Sequence, residues 1–119
     1  MMFHVVRLPL ALSTLALAVL LAAPAQAAPL TAANGMTLYT FDKDAGGTSA
    51  CYDACAMNWP PYLVKDGAHM DKDWTQVKRK DGAAQWAYDG KPLYFFAMDK
   101  KKGDAMGDGR NGLWHIINE

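Results

Sequence analysis

The sequence predicts an all-β fold: a small compact domain of two related β-units, with a short helical turn around its two cysteines. Three observations predict it. Residues 28–119 contain twelve aromatic residues but only four Val or Ile. Their many Gly and Asp residues favour turns over helices. One aromatic motif also occurs twice at a constant spacing. Short aromatic strands joined by tight turns are what these features together favour.

Residues 1–27 are predicted to be a cleaved secretory signal peptide. They have a basic start ending at Arg7, an apolar stretch from Leu8 to Leu21 and the small-residue end Ala25-Gln26-Ala27. These are the three parts of such a peptide. The apolar stretch is too short for a comfortable membrane span. We therefore expect an exported chain that does not span a membrane.

The mature chain, 28–119, is expected to be a single domain. Its 92 residues carry 11 Lys or Arg and 12 Asp or Glu, and a chain of this size buries only one small core. The lack of a basic excess argues against a nucleic-acid partner.

Two units are predicted from a match of the chain with itself at an offset of 55 residues. Each copy contains Y-x-F-x-x-D, with a Trp 20 residues after the Tyr. We expect the units, about 34–64 and 89–117, to share a local structure and to pack together, because neither can cover its own apolar face. The matched positions are Tyr39, Phe41, Asp44 and Trp59 in the first unit, and Tyr94, Phe96, Asp99 and Trp114 in the second.

Strands are predicted where short aromatic runs adjoin N-G or D-G turn dipeptides. The predicted strands are Thr37–Phe41, Trp74–Lys80, Gln85–Tyr88, Lys91–Phe96 and Trp114–Ile117. The segment Trp59–Val64 is also expected to be extended, and its two prolines predict an edge position. Ser49–Met57 is expected to contain one or two helical turns, and 100–112 to form a loop.

The two cysteines, Cys51 and Cys55, are expected to form a disulfide. An exported protein meets an oxidising compartment, and one helical turn brings two such Cα atoms within bonding range. A metal or redox pair is the alternative. The spacing is neither the C-x-x-C of thioredoxin-like enzymes nor the C-x-x-C-H of haem attachment.

A copper site is the alternative functional interpretation. Thioether, imidazole and thiolate ligands suit Cu(I), but here they are scattered along the chain. We interpret the methionines as fillers of an aromatic core and expect no cofactor, while the question of a metal stays open. In addition to the two cysteines, the candidate ligands are Met36, Met57, Met70, Met98, Met106, His69 and His115.

The aspartates are interpreted as structural rather than calcium-binding. They lack the D-x-D-x-D-G order of a calcium loop. Asp44 and Asp99 occupy equivalent positions and are expected to close turns by accepting backbone N–H groups, or to accept from a buried Trp or Tyr. The calcium candidates are Asp42, Asp44, Asp99, Asp104, Asp108 and Asn111.

Catalysis is not predicted. Ser49 is the sole serine of 28–119 and lies outside any G-x-S-x-G motif. The carboxylates lie in presumed turns, where we expect too little burial to shift a pKa. The basic runs 78–80 and 100–102 are interpreted as solvated tips that discourage sheet pairing. A small hydrolase is therefore the least favoured function.

The doubled motif continues in a pattern that covers nearly all of 28–119. The first copy runs on as Ser49-Ala50-Cys51-Tyr52-Asp53-Ala54-Cys55-Ala56-Met57-Asn58-Trp59-Pro60-Pro61. The second has Gly90-Lys91-Pro92-Leu93-Tyr94, then Gly103-Asp104, Gly107, Gly112 and Trp114-His115. Together they resemble the bacterial secreted lipoprotein-repeat family. The resemblance implies a small exported bacterial protein, often lipid-anchored, of no established biochemical role. Some relatives are loosely associated with alkane utilisation.

The chain departs from that family in one respect. No cysteine lies near the predicted cleavage site, so no lipid anchor is expected. We therefore expect a soluble periplasmic or secreted monomer. Its expected function is that of a non-catalytic binding or accessory module of the cell envelope, with the aromatic side chains partly exposed as a contact surface. Its partner would be an envelope protein or a small ligand.

Overall fold

The computed structural model describes residues 2–6, 9, 11, 16 and 28–119. The rest of the predicted signal peptide, with its cleavage site after Ala27, lies outside the described residues. Among those that are described, no helix has both the length and the apolar character needed to cross a bilayer.

In the part of the chain that the structure describes, five short strands form two antiparallel sheets, which confirms the all-β prediction. In one sheet, β1 (Tyr39–Phe41) pairs with β5 (Trp114–Ile116). The other is a meander of β2 (Trp74–Lys78), β3 (Ala84–Tyr88) and β4 (Lys91–Pro92). All five strands lie within, or within one residue of, segments where strands were expected.

The predicted helical turn is present as α1, Ala54–Asn58. It is short because it follows Asp53, whose φ of 54° is not helical, and ends before the prolines at 60 and 61. Three single 3-10 turns complete the regular structure: Ala45–Gly47, Val64–Asp66 and Arg110–Gly112.

The predicted hairpin turn between β3 and β4 is confirmed. Asp89 and Gly90 have φ values of 49° and 77°, and a type I′ turn requires a positive φ at both central positions. Asp tolerates this conformation better than most residues, and Gly has no side chain to oppose it.

A pseudo-twofold axis passes between Tyr39 and Tyr94, which exchange both backbone hydrogen bonds. The Tyr39 N–H donates to the Tyr94 carbonyl over 2.8 Å, and the Tyr94 N–H to the Tyr39 carbonyl over 3.0 Å. On its outer side Tyr39 pairs with Ile116, and Tyr94 pairs with Pro61. Ile116 and Pro61 are also 55 residues apart, so the two units meet symmetrically.

The predicted edge position of Trp59–Val64 is wrong. The Tyr62 N–H donates to the Leu93 carbonyl over 2.9 Å, and the Tyr62 carbonyl accepts from Trp86 over 2.8 Å. The segment therefore has two hydrogen-bonded neighbours. Its prolines are tolerated there because Pro60 takes part through its carbonyl, which accepts from the Phe95 N–H over 2.7 Å, and needs no N–H of its own.

Two apolar clusters lie on opposite faces of the paired segments, because successive side chains of a strand point to opposite faces. Leu38 and Leu93 belong to one cluster, and the adjacent Tyr39 and Tyr94 to the other. The buried residues of the first are Leu30, Ala32, Leu38, Tyr62, Trp86 and Leu93. Those of the second are Tyr39, Cys51, Trp59, Tyr94, Phe96 and Trp114.

Candidate functional site

Four aromatic rings stack across the pseudo-twofold axis, and we call them the ring stack: Phe41, Trp114, Trp59 and Phe96. The two indoles are parallel within 2°, with ring centroids 3.8 Å apart. Phe41 lies 4.1 Å from Trp114, and Phe96 lies 4.4 Å from Trp59. Each phenylalanine thus covers the tryptophan of the other unit, and neither unit can build the stack alone.

A tyrosine meets each indole edge-on. The Tyr39 and Trp59 centroids are 5.3 Å apart with the rings inclined by 77°, and Tyr94 and Trp114 are 5.3 Å apart at 90°. Such T-shaped contacts are favourable because the positive ring edge meets the negative ring face. Six of the eight matched positions therefore form one continuous aromatic cluster.

Each of these tyrosines is hydrogen-bonded to the aspartate of the other unit, and we call the two contacts the Tyr–Asp pairs. The Tyr39 hydroxyl donates to Asp99 Oδ2 over 2.6 Å, and the Tyr94 hydroxyl donates to Asp44 Oδ2 over 2.8 Å. The tyrosine of each motif copy is therefore hydrogen-bonded to the aspartate of the other copy, a pairing that the motif sequence alone does not show.

The second oxygen of each aspartate accepts a backbone N–H. Asp44 Oδ1 accepts from Ala50 over 2.7 Å, and Asp99 Oδ1 accepts from Met106 over 2.9 Å. The two roles expected as alternatives, turn closure and acceptance from a buried tyrosine, therefore occur together. Charge-assisted bonds of this kind are the stronger class of hydrogen bond.

Burial shifts the pKa values of the Tyr–Asp pairs. It raises the pKa of Tyr94 to about 12 and that of Tyr39 even further above its ordinary value. Burial is also the largest cause that raises the pKa of the Asp44 carboxyl. The expectation that no carboxylate is buried enough to be shifted is therefore wrong, because the turn after β1 folds Asp44 inward against Tyr94.

Arg79 is buried, with 5% of its surface exposed, so the prediction of a solvated run over 78–80 is wrong at its middle residue. Its guanidinium donates to Ser49 Oγ and Gln85 Oε1, both over 2.9 Å, and to the Cys51 carbonyl over 2.8 Å. The alternation of a strand explains the difference, because residue 79 points opposite to the exposed lysines on either side. That period-two pattern was the signal available in the sequence.

Arg79 reaches one Tyr–Asp pair through Ser49. The Ser49 hydroxyl is hydrogen-bonded to the Tyr94 hydroxyl, and the Arg79 charge lowers the pKa of Asp44 against the larger effect of burial. Ser49 is thus a member of a buried polar network.

The predicted disulfide between Cys51 and Cys55 is present, with Cα atoms 5.3 Å apart. Cys51 is fully buried beside the ring stack, and Cys55 is half-buried. With both sulfurs bonded to each other, neither is available as a thiolate ligand for copper in this state.

The interpretation of the methionines as core fillers is wrong for four of them. Met57, Met70, Met98 and Met106 are exposed to 53–96%. Met36 is half-buried, and the buried residues of the two clusters include no methionine.

The histidines are engaged elsewhere. His69 stacks on Trp74 at 3.6 Å and is hydrogen-bonded through Nε2 to the Tyr62 hydroxyl over 2.7 Å. His115, in β5, lies 2.8 Å from an Asp42 oxygen. Over the described part of the chain, no three His, Cys, Asp or Glu residues are grouped to hold a metal ion.

The calcium candidates are similarly separate. Asp104 Oδ2 accepts the backbone N–H groups of Lys100 and Lys101, and Asp108 Oδ1 accepts that of Ile116. Each caps local backbone, as the structural interpretation predicted.

The matched aromatic residues do not provide a contact surface. Tyr39 and Tyr94 are fully buried, and Trp59 and Trp114 are 6% and 3% exposed. This confirms that these four side chains occupy equivalent buried positions and build the core, so a contact surface has to use other residues.

An accessible surface lies instead on the hairpin of β2 and β3. Two grooves of about 420 Å³ each meet there and share Ala84. One is lined by Leu63, Val64, Lys65, Ala83 and Ala84, the other by Gln76, Val77, Lys78, Gly82 and Ala84. We call these residues the hairpin surface. β2 is at the edge of its sheet and pairs only with β3, so its outer backbone groups are open to a further strand.

Comparison with known proteins gives one match. The lipoprotein-15 family, described as a secreted repeat of unknown function, matches residues 24–62 and 75–118. The two matched stretches contain the two Y-x-F-x-x-D copies. No curated protein and no solved structure matches the chain.

Proposed function

This chain belongs to the lipoprotein-15 family of secreted repeats, and from that membership we propose that it is an exported, non-catalytic binding or accessory module of the cell envelope. The observation that carries the proposal is the use made of the motif residues. The tyrosines, tryptophans and aspartates of both copies are hydrogen-bonded or packed against one another inside the domain. These residues stabilise the fold and are buried, so we infer that other, exposed residues recognise the partner.

The hairpin surface is the site that we propose for that recognition. Its first groove is lined almost entirely by apolar atoms, with Lys65 at its side. The free edge of β2 offers backbone donors and acceptors beside the second groove, which Gln76, Val77 and Lys78 line. An extended peptide segment that adds to a sheet edge uses this combination, since its backbone gives affinity and its side chains enter adjoining pockets. We therefore assign an extended segment of an envelope protein as the partner.

Site-specific photocrosslinking in cells that express the full chain tests this proposal. A photoreactive amino acid replaces Gln76 at the β2 edge, or, as the matched control, the exposed Lys101 on the far loop. We expect a discrete protein adduct in the envelope fraction from position 76 and none from position 101. Equal adducts from both positions, or none from either, would contradict the assigned surface.

A copper function at Cys51 and Cys55 is less well supported. It requires the reduced pair, whereas the two sulfurs form a disulfide, and thiolates rather than disulfides bind metals. The electron-transfer alternative has separate support in the ring stack.

A further inference from the structure

The two tyrosines and two tryptophans of the buried cluster form an unbroken path of redox-active rings. The centroid separations along Tyr39, Trp59, Trp114 and Tyr94 are 5.3, 3.8 and 5.3 Å. Phenol and indole are the aromatic side chains most easily oxidised by one electron, and rings in van der Waals contact exchange electrons readily. Phe41 and Phe96 cover the outer faces of the indoles and keep water from them.

Each end of this path also has a proton acceptor. A phenol that loses an electron becomes a strong acid, so it is oxidised easily only where a base can take its proton. Asp99 Oδ2 lies 2.6 Å from the Tyr39 hydroxyl, and Asp44 Oδ2 lies 2.8 Å from that of Tyr94. Packing alone requires the rings, but it does not require a carboxylate on each phenol.

We propose that Tyr39, Trp59, Trp114 and Tyr94 form an electron-transfer path that accepts one-electron oxidising equivalents and holds them on either tyrosine. The co-reactant is a one-electron oxidant reaching the protein from solution. An indole of the path gives it one electron and becomes a radical cation. A tyrosine then donates one of its own electrons to the indole radical cation. The O–H bond of the tyrosine breaks at the same time, and its proton bonds to the aspartate Oδ2. The products are a neutral tyrosyl radical, a carboxylic acid and the restored indole.

The surroundings of the path favour this chemistry. Both phenols are fully buried, so a tyrosyl radical formed there is shielded from reaction with solutes. Burial raises the pKa of Tyr94 to about 12, which keeps the phenol protonated until it is oxidised. Burial also raises the pKa of Asp44, which makes its carboxylate a better acceptor for the released proton.

The chain offers a matched control. The Tyr52 hydroxyl accepts the Lys80 backbone N–H over 3.0 Å, and its ring lies beneath the Arg79 guanidinium, 4.3 Å from the ring centroid. A nearby cation opposes formation of a positive radical, and no carboxylate is hydrogen-bonded to this phenol among the described contacts. Tyr52 should therefore contribute little to a radical signal from the folded protein.

The test is photochemical oxidation of the disulfide-intact full chain by a flash-generated ruthenium(III) tris-bipyridine complex. Transient absorption and electron paramagnetic resonance then separate tyrosyl from tryptophan radicals. We expect a long-lived tyrosyl radical in the unmodified chain and in Tyr52→Phe. In the double variant Asp44→Asn, Asp99→Asn, the amides keep an acceptor oxygen but cannot take the proton. We expect most of the tyrosyl signal to be replaced by tryptophan radical.

The unmodified chain provides a second measurement that needs no variant. Tyrosyl formation should slow in D₂O, because a proton moves with the electron. If the asparagine variant does not fold, Tyr39→Phe with Tyr94→Phe replaces it and must lose the part of the tyrosyl signal that these two residues carry, whereas any signal from Tyr62, whose hydroxyl is hydrogen-bonded to His69, is retained. An unchanged tyrosyl yield in either double variant, or no isotope effect, would overturn the proposal. None of these outcomes bears on binding at the hairpin surface.

Discussion

The two Tyr–Asp pairs are alike at their centres but differ in what encloses them. Around Tyr94 and Asp44 the enclosure is made of side chains. Arg79 is held by Ser49, by Gln85 and by a backbone carbonyl of the disulfide loop, and Ser49 touches the Tyr94 hydroxyl. All three hydrogen bonds that the guanidinium donates are buried.

Around Tyr39 and Asp99 the enclosure is made of backbone. The Gly107 N–H donates to the Tyr39 hydroxyl over 3.2 Å. A Cβ at position 107 would lie 2.6 Å from the Trp59 ring, closer than such atoms approach. Glycine is required at this position for that contact, and not for an unusual φ. The loop therefore reaches the phenol by omitting a side chain where the other unit supplies several.

The comparison shows that the residues at the pseudo-twofold axis are constrained by both units, whereas the residues that enclose each Tyr–Asp pair are not. Trp59 and Trp114 contact each other across the axis, so a change to one ring alters the packing of both units. The enclosing residues contact only one pair each. They can differ between units as long as every buried polar group retains a partner, and two unlike solutions to that condition are present in one chain.

The largest expected effect tests the shared centre. Trp59→Ala and Trp114→Ala should each lower the free energy of unfolding by about 3–5 kcal/mol, since each leaves a cavity in a small core. The two losses should agree within about 1 kcal/mol, because each substitution removes the same stacked pair. Urea unfolding with the disulfide intact measures both.

Trp74→Ala is the matched control for that comparison. Trp74 is half-buried and lies outside the ring stack, so the loss should be smaller than for either stacked tryptophan. A large inequality between Trp59→Ala and Trp114→Ala would show that the units do not share their core equally.

A smaller effect distinguishes the two enclosures. Arg79→Met should cost about 3 kcal/mol, because it leaves the buried oxygens of Ser49, Gln85 and Cys51 without their donor. Lys78→Met, at the exposed neighbouring position, should change stability by no more than about 0.5 kcal/mol. Calorimetry of both variants provides the values. Similar costs for the two would mean that the Arg79 network contributes nothing to the enclosure of Tyr94.

Much of this comparison was accessible from the sequence. A repeat at one offset predicted equivalent buried positions, because identical spacing of large rings implies identical packing. The D-G turn between β3 and β4 was also correctly predicted, since type I′ turns have local sequence signatures. These features depend on neighbours along the chain or on the repeat itself.

The contacts between units were beyond sequence reasoning. That Tyr39 bonds to Asp99 rather than to Asp44 depends on the axis between the units, and no local pattern encodes an axis. The burial of Arg79 was missed for a different reason. A Lys-Arg-Lys run looks solvated by composition. Arg79 lies just past β2, whose pairing with β3 ends at Lys78, and the alternation of exposed and buried side chains over 76–80 directs it inward. The exposure of the methionines was misjudged because the sequence does not show how much of the core volume the aromatic side chains occupy.

The smallest expected effect is a change in how steeply the free energy of unfolding falls with pH, and it can be measured only in alkaline solution. Folding raises the pKa of both buried tyrosines, that of Tyr94 from 10.0 to about 12, mainly by burial. The folded chain therefore keeps protons that the unfolded chain loses. The resulting stabilisation is complete below pH 10.0, the ordinary value, and is lost as the pH rises toward 12.

Tyr94→Phe removes one of the two contributions. Its free energy of unfolding should start lower, because a charge-assisted hydrogen bond is lost, but should fall less steeply with pH than that of the unmodified chain. Tyr39→Phe should behave likewise, since the phenols are equally buried despite their different enclosures. Urea unfolding at a series of alkaline pH values tests this, and parallel pH profiles for all three proteins would refute it.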